Sequence, residues 1–232
     1  MPVCKHCNLE GEGKYCCNCG EIYKTDRITI HSLLHEVVHT LTHAGKGFFY
    51  TLKNLAIHPG TMQKNYLAGE RKTNQKPFPL FFICAGIAAI VLHFVNAVPH
   101  GHQNHYDIVK ESFYKNYYVI FQSSLLPFYA FLTWILFNNR EFNYAEALVY
   151  FMYALGFSLI IIIPINFSLY FFSSVNEQII EVIVLGIYMV WTNLNFFRNK
   201  KAWATILKSF ILLAACYATS HYLTNAVINF MI

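Results

Sequence analysis

PLFFICAGIAAIVLHFVNAV, residues 79–98, is a run of twenty residues without one Asp, Glu, Lys or Arg. A helix needs about 20 apolar residues to cross a hydrocarbon core of roughly 30 Å. No water reaches backbone groups at that depth, so such a segment must bond to itself as a helix. Four further segments read the same way: 117–137 (YYVIFQSSLLPFYAFLTWILF), 145–172, 179–197 and 205–230. The third is unusually long and holds Pro164, so it is either one kinked span or a span plus a surface piece. Composition agrees. Charged residues are 12% of the 232 and hydrophobic ones 56%, against about 25% charged in a soluble domain. The expected fold is an all-α integral membrane protein of about five transmembrane helices.

Orientation follows from Lys and Arg, which collect on the cytosolic side. Residues 1–77 hold ten, and the stretches 138–144 and 198–208 hold five more, whereas the 99–116 loop holds two and the 173–178 loop none. Five spans with the N-terminus inside place fifteen of these charges in the cytosol and two outside. The expected location is a bacterial inner membrane, with the C-terminus outside. The polar, cysteine-bearing stretch ahead of the first span argues against a cleaved leader. Residues 1–22, 28–77 and 78–232 form three units: a knuckle, an amphipathic helix with a basic neck, and the bundle. No internal repeat stands out.

The knuckle is CKHCNLEGEGKYCCNCG, residues 4–20. The cytosol keeps thiols reduced, so Cys4, Cys7, Cys16 and Cys19 are read as thiolate ligands and not as disulfides. Two C-x-x-C turns can converge on one tetrahedral ion. Structural Zn²⁺ is the expected cofactor, and iron in a rubredoxin-like site is the alternative. Four sulfur ligands leave no open position, which argues against a catalytic metal. Cys17 is a spare thiol.

Next, Ile30, Leu34, Val37, Leu41, Ala44, Phe48, Leu52 and Leu55 recur at helical spacing, which predicts one amphipathic helix from about 28 to 57. Pro59 ends it. His31, His35, His39 and His43 recur every four residues on its polar side. They form a plain polar face, a pH-responsive or headgroup-facing surface, or a second metal site. His35, Glu36 and His39 spell H-E-x-x-H, the metalloprotease motif, but no third ligand is evident. Thr61 is placed as the cap of a short helix ending near Gly69. Lys64, Arg71, Lys72 and Lys76 form a neck suited to anionic lipid headgroups.

The paired cysteines, the stretch THAGKGFFYTLKNLAIHPG, then Tyr66, Gly69 and Arg71–Lys72 resemble an uncharacterised bacterial family of multi-pass membrane proteins with an N-terminal zinc ribbon. The resemblance covers about residues 1–80 and implies a membrane protein without an established activity. In layout alone, a cytosolic head plus five spans is similar to the Yip-type family linked to membrane trafficking.

Polar residues within spans are functional candidates: His93, Asn96, Asn166, Glu181, His221 and Asn225. They are expected to meet inside the bundle; interhelical bonding and an ion or proton path are the two readings. In the outer loop, His100, His102 and His105 could hold a metal weakly. No nucleotide or nucleophile motif is present. Nucleic acid is not an expected partner, because the knuckle offers only Lys5, Lys14 and His6. Lipid, and a protein partner or second copy, are. The expected function is a non-enzymatic platform in the inner membrane, built from the ribbon and the interfacial helix. A transporter or lipid-handling permease is the alternative, and a metalloenzyme on the histidine helix the second alternative.

Overall fold

The computed structural model describes residues 2–20, 22–23, 29–30, 47–95, 109, 112–113, 116–137, 142–171, 177–197 and 201–231. Among these are eight helices: α1 (Phe48–Ile57), α2 (Thr61–Ala68), α3 (Pro77–Val95), α4 (Tyr118–Ser124), α5 (Leu126–Phe137), α6 (Tyr144–Phe171), α7 (Glu177–Phe196) and α8 (Ala202–Met231). The described N-terminal segment has only isolated bridges, Val3 with Glu10 and Tyr15 with Ile22. Helices α3, α6, α7 and α8 are each long and apolar enough to cross a membrane, and the bent pair α4–α5 makes a fifth candidate.

The bend of 42° between α4 and α5 has a local cause. Pro127 brings no N–H to the first turn of α5 and cannot continue the ladder of α4. Just before it, Ser123 Oγ donates to Val119 O and Ser124 Oγ to Phe121 O, both at 2.7 Å. Hydroxyl bonds back into a helix favour bending. The long third segment resolves differently: α6 runs through Pro164 as one helix of 28 residues. That is about 42 Å at 1.5 Å per residue, enough to cross a bilayer with tilt.

Helix α6 is the hub, packed against α1, α2, α3, α5 and α7. It buries Ala145, Ala147, Val149, Tyr150, Tyr153, Ala154 and Leu159. Small residues let α3 approach it closely. A Cβ on Gly156 would sit 3.3 Å from Phe81 Cα, and Ala85 and Ala88 of α3 are buried as well. Lipid tails are as apolar as leucine, so close packing of small side chains is what holds membrane helices together.

Helix directions follow from side-chain bonds. Tyr150 OH, near the start of α6, donates to Asn193 Oδ1 near the end of α7 at 2.5 Å. Asn193 Nδ2 donates to Ser209 Oγ near the start of α8 at 3.0 Å. Phe137, the last residue of α5, stacks on Phe197 with centroids 4.3 Å apart. Tyr153 OH reaches Gln75 O just ahead of α3, at 2.6 Å. Helices α3, α6 and α8 therefore run one way and α4–α5 and α7 the other. The start of α3 lies on the same side as α1 and α2. Lys53, Lys64, Arg71, Lys72, Lys76, Lys201 and Lys208 belong to this end.

The expected continuous helix over 28–57 does not pass Gly47. That residue has φ 127° and stands at the N-terminus of α1. A Cβ there would meet Thr73 O at 2.6 Å, so the chain turns against the loop before α3, in a conformation glycine permits. Pro59 does end α1, at Ile57. Thr61 is the first residue of α2 and not its cap. The Gly60 N–H donates to Gln63 Oε1 at 2.7 Å, and Gly69 closes the helix in the left-handed conformation, as the αL cap requires.

Replacing Asn193 with leucine is expected to leave the Tyr150 hydroxyl without its acceptor and to cost roughly 1–3 kcal/mol. Thermal melting in detergent measures it. An unchanged melt would mean that the link is not stabilising.

Candidate metal centre and its seat on the bundle

The two C-x-x-C turns have the same backbone twelve residues apart. Asn8 N–H donates to Cys4 O at 2.9 Å, and Gly20 N–H to Cys16 O at 2.7 Å. Asn8 and Gly20 both take positive φ, 57° and 73°, the region that glycine and, less readily, asparagine tolerate. The bridges Val3–Glu10 and Tyr15–Ile22 repeat with the same offset. The segment is thus a duplicated turn, with Cys4 and Cys7 repeated as Cys16 and Cys19.

Duplication brings the four thiols together. Cys4 Sγ and Cys19 Sγ are 3.5 Å apart, as are Cys7 Sγ and Cys16 Sγ, and all four lie within 4.8 Å of one another. A regular tetrahedron with metal–sulfur bonds of about 2.3 Å has edges of about 3.8 Å, so the donor set fits one metal ion. All four cysteines are unpaired by disulfide. Backbone donors favour the thiolates. The Cys19 N–H foremost, then that of Asn18, lowers the Cys16 pKa to about 6 against the opposing effect of burial. At Cys4 the N–H groups of Cys7 and His6 act in the same direction.

Tyr23 closes the site from one side. It is buried with Cys4 and Cys16, and a Cβ on Gly11 would collide with its hydroxyl at 2.0 Å. That hydroxyl has no nitrogen or oxygen partner. Burial first, then the Cys16 sulfur, pushes its pKa up to about 12. A neutral O–H beside a thiolate is a donor that orients the ligand, and such outer partners are worth 10–100-fold in metal affinity. Tyr23→Phe is expected to weaken metal binding about 10-fold in a competition titration with a chromogenic chelator. Unchanged affinity would mean the hydroxyl only fills space.

The knuckles sit on the end of α2. Lys5 Nζ donates to Ala68 O. His6 Nδ1 lies 3.8 Å from Glu70 Oε1. A Cβ on Gly20 would come within 3.4 Å of Lys72 Nζ. Beneath them, α1 and α2 form a cap on the bundle. Its apolar side buries Leu55, Met62 and Tyr66 against Leu80, Val149 and Tyr153, with the Tyr66 and Tyr153 rings 5.3 Å apart, edge to face. Its polar bonds are buried too. Gln63 Nε2 donates to Tyr150 O at 3.3 Å, and Gln75 N–H to Thr51 Oγ1 at 2.7 Å.

The residues singled out from the sequence fare unequally. Cys4, Cys7, Cys16 and Cys19 converge. Of the neck, Lys64, Lys72 and Lys76 are exposed. Arg71 folds back, its Nε donating to Tyr66 O at 3.3 Å and its guanidinium 5.7 Å from the Tyr66 ring centre. Asn166 is buried, with Nδ2 2.5 Å from Glu181 Oε1. The expected convergence of intramembrane polar groups does not occur, because His93 and His221 lie on the outside of the bundle. His221 and Asn225 bond to each other, 3.2 Å apart, along the surface of α8. One turn of helix lets an i, i+4 pair satisfy itself without a partner helix. His31, His35, His39, His43 and Asn96, and the loop histidines His100, His102 and His105, lie outside the described residues. Gln63, Thr51, Gln75, Tyr150, Asn193 and Ser209 were missed. Asn193 and Ser209 carry the ordinary signal of polar residues inside apolar spans.

No curated protein and no solved structure matches the chain. A family model described as "Protein of unknown function (DUF3667)" matches residues 46–88, the stretch that runs through the cap, the neck and most of the first span.

Proposed function

We propose that the chain is a non-enzymatic, multi-pass protein of a bacterial inner membrane, with a cytosolic platform that binds a protein or lipid. The platform consists of a structural zinc ribbon and the α1–α2 cap. The observation that carries this reading is the unbroken set of contacts from knuckle to cap to spans. A head held this way is a fixed surface and not a tethered one. Cys4, Cys7, Cys16 and Cys19 hold the zinc, and a closed four-sulfur site serves folding. The cluster of basic residues at the cap end supports a cytosolic head and an outer C-terminus. Lys64, Lys72 and Lys76 face the headgroups of that leaflet. The transport alternative loses its motivation with His93 and His221 turned outward; Asn166–Glu181 fits an interhelical bond.

The test uses full-length protein in cells, with photo-crosslinking residues at the exposed positions Glu12 and Asn18. Capture of one defined protein or of cytosolic-leaflet lipid supports the platform. Crosslinking to neither, with solute flux in proteoliposomes, would replace it with a transporter. Elemental analysis should give about one zinc per chain. Labelling of the exposed Cys17 from outside the cell would overturn the orientation.

A further inference from the structure

We propose that the metal-closed ribbon is a latch on the cap. While metal is bound, the knuckles hold the end of α2 and the loop 69–76 in place, and when metal leaves, that loop comes free. The inference rests on the reading of the four cysteines as a metal site and adds what the occupied site controls.

The contacts of Lys5 with Ala68 O and of His6 with Glu70, and the approach of Gly20 to Lys72, come from residues whose positions the ligands set. Lys5 and His6 are the two residues between Cys4 and Cys7, and Gly20 directly follows Cys19. Their backbones are fixed only while the turns are closed. Apart from turn bonds such as Cys4 N–H to Leu9 O and two isolated bridges, the described residues of 2–23 are drawn together by their four cysteines. Their buried apolar side chains are Cys4, Cys16 and Tyr23, which is no core for a segment of that size. Metal binding is then the folding energy of the head.

The receiving side also depends on the contact. Helix α2 has eight residues, far below the length at which a helix persists alone. Its first half is anchored: Met62 and Gln63 are buried, and Gln63 bonds to α6. Its last carbonyls need partners. Gly69 N–H takes Tyr66 O and Glu70 N–H takes Asn65 O, while Ala68 O is met by Lys5. Past it, the loop is held at its far end by Gln75, bonded to Thr51 and Tyr153. Between these anchors Thr73 Oγ1 and Asn74 Oδ1 are buried without partners. Within 66–74 the printed bonds are local, Arg71 Nε to Tyr66 O and Asn74 Nδ2 to Glu70 O, and Tyr66 packs on Tyr153, while Lys5 on Ala68 O and His6 beside Glu70 tie the stretch to the head. A short segment tied by such contacts is where local opening is expected once they are lost.

Hydrogen–deuterium exchange on the full chain in lipid nanodiscs tests this, with metal content measured in the same samples. Treatment with EDTA is expected to speed exchange over 66–74 about 10-fold and to leave α6 near Tyr150 and Tyr153 unchanged. Lys5→Ala with Glu70→Ala, which keeps all four cysteines, is expected to loosen the same stretch with about one metal still bound. Metal lost to EDTA with exchange over 66–74 unchanged would overturn the latch and leave the metal site standing. Protein that never holds metal would overturn both. A double variant that keeps its metal and its protection would also overturn the latch, because the contacts would then carry nothing.

Discussion

Replacing Cys16 with serine is expected to release the metal and unfold residues 2–23 while the membrane helices stay assembled. Cys16 is buried at the centre of the cluster, 3.5 Å from Cys7, and serine offers no thiolate. Structural zinc contributes apparent binding energies of about 10–16 kcal/mol in small metal-folded peptides. Loss of one ligand of four forfeits a large share of that, and the head has no apolar core to fall back on. The bundle is different, with its own clusters around α6 that the head does not enter. Metal content should fall from about one per chain towards none, and trypsin should cut at Lys5 and Lys14. The melting of the detergent-solubilised bundle should move by no more than the loosened cap accounts for. A variant whose head stays protected without metal would refute the assignment of the four cysteines.

The features legible in the sequence were those that hydropathy and ligand spacing encode. The start of α3, at Pro77 against an expected 79, and that of α6, at Tyr144 against 145, lie close to expectation because the edge of an apolar run is the edge of a helix in lipid. The direction a polar side chain faces is another matter. Helix α3 is apolar nearly all round, so nothing in its pattern tells which side His93 takes. The break at Gly47 was signalled by Gly45-Lys46-Gly47, but apolar spacing of three and four continues across it and hides it. The buried chain Gln63, Tyr150, Asn193 and Ser209 joins residues far apart in sequence, and only the packing of α2, α6, α7 and α8 brings them together. In the knuckle, the cysteine spacing shows the twelve-residue offset. That Asn8 and Gly20 are equivalent shows only in their φ angles.

Gly60→Ala, one methyl group in the cap, is expected to be strongly destabilising. Pro59 and Gly60 are buried at the tip of the α1–α2 hairpin, where backbone lies directly on backbone. A Cβ on Gly60 would stand 2.2 Å from Thr192 O and 2.6 Å from Phe196 N. Neither can swing away as a side-chain end would, since both belong to the last turns of α7. Gly60 also has φ 79°, which costs an L-residue about 1–3 kcal/mol. Overpacking adds roughly 1–3 kcal/mol. The hairpin can escape only by lifting off α7, which strains the bond from Gln63 to Tyr150 and the contact of Tyr188 OH with Leu55 O at 3.5 Å. The head rides on that hairpin, so its seat should loosen although every cysteine is intact. Gly86 supplies the control, because a Cβ there meets nothing within 4 Å and alanine favours a helix by up to about 1 kcal/mol. A domain of this size shifts its Tm by roughly 2–4 °C per kcal/mol. Gly60→Ala should therefore melt roughly 5–15 °C below the parent, and Gly86→Ala at or slightly above it. Equal melting of the two variants would mean that the hairpin does not rest on α7, and the cap would lose its anchor to the spans.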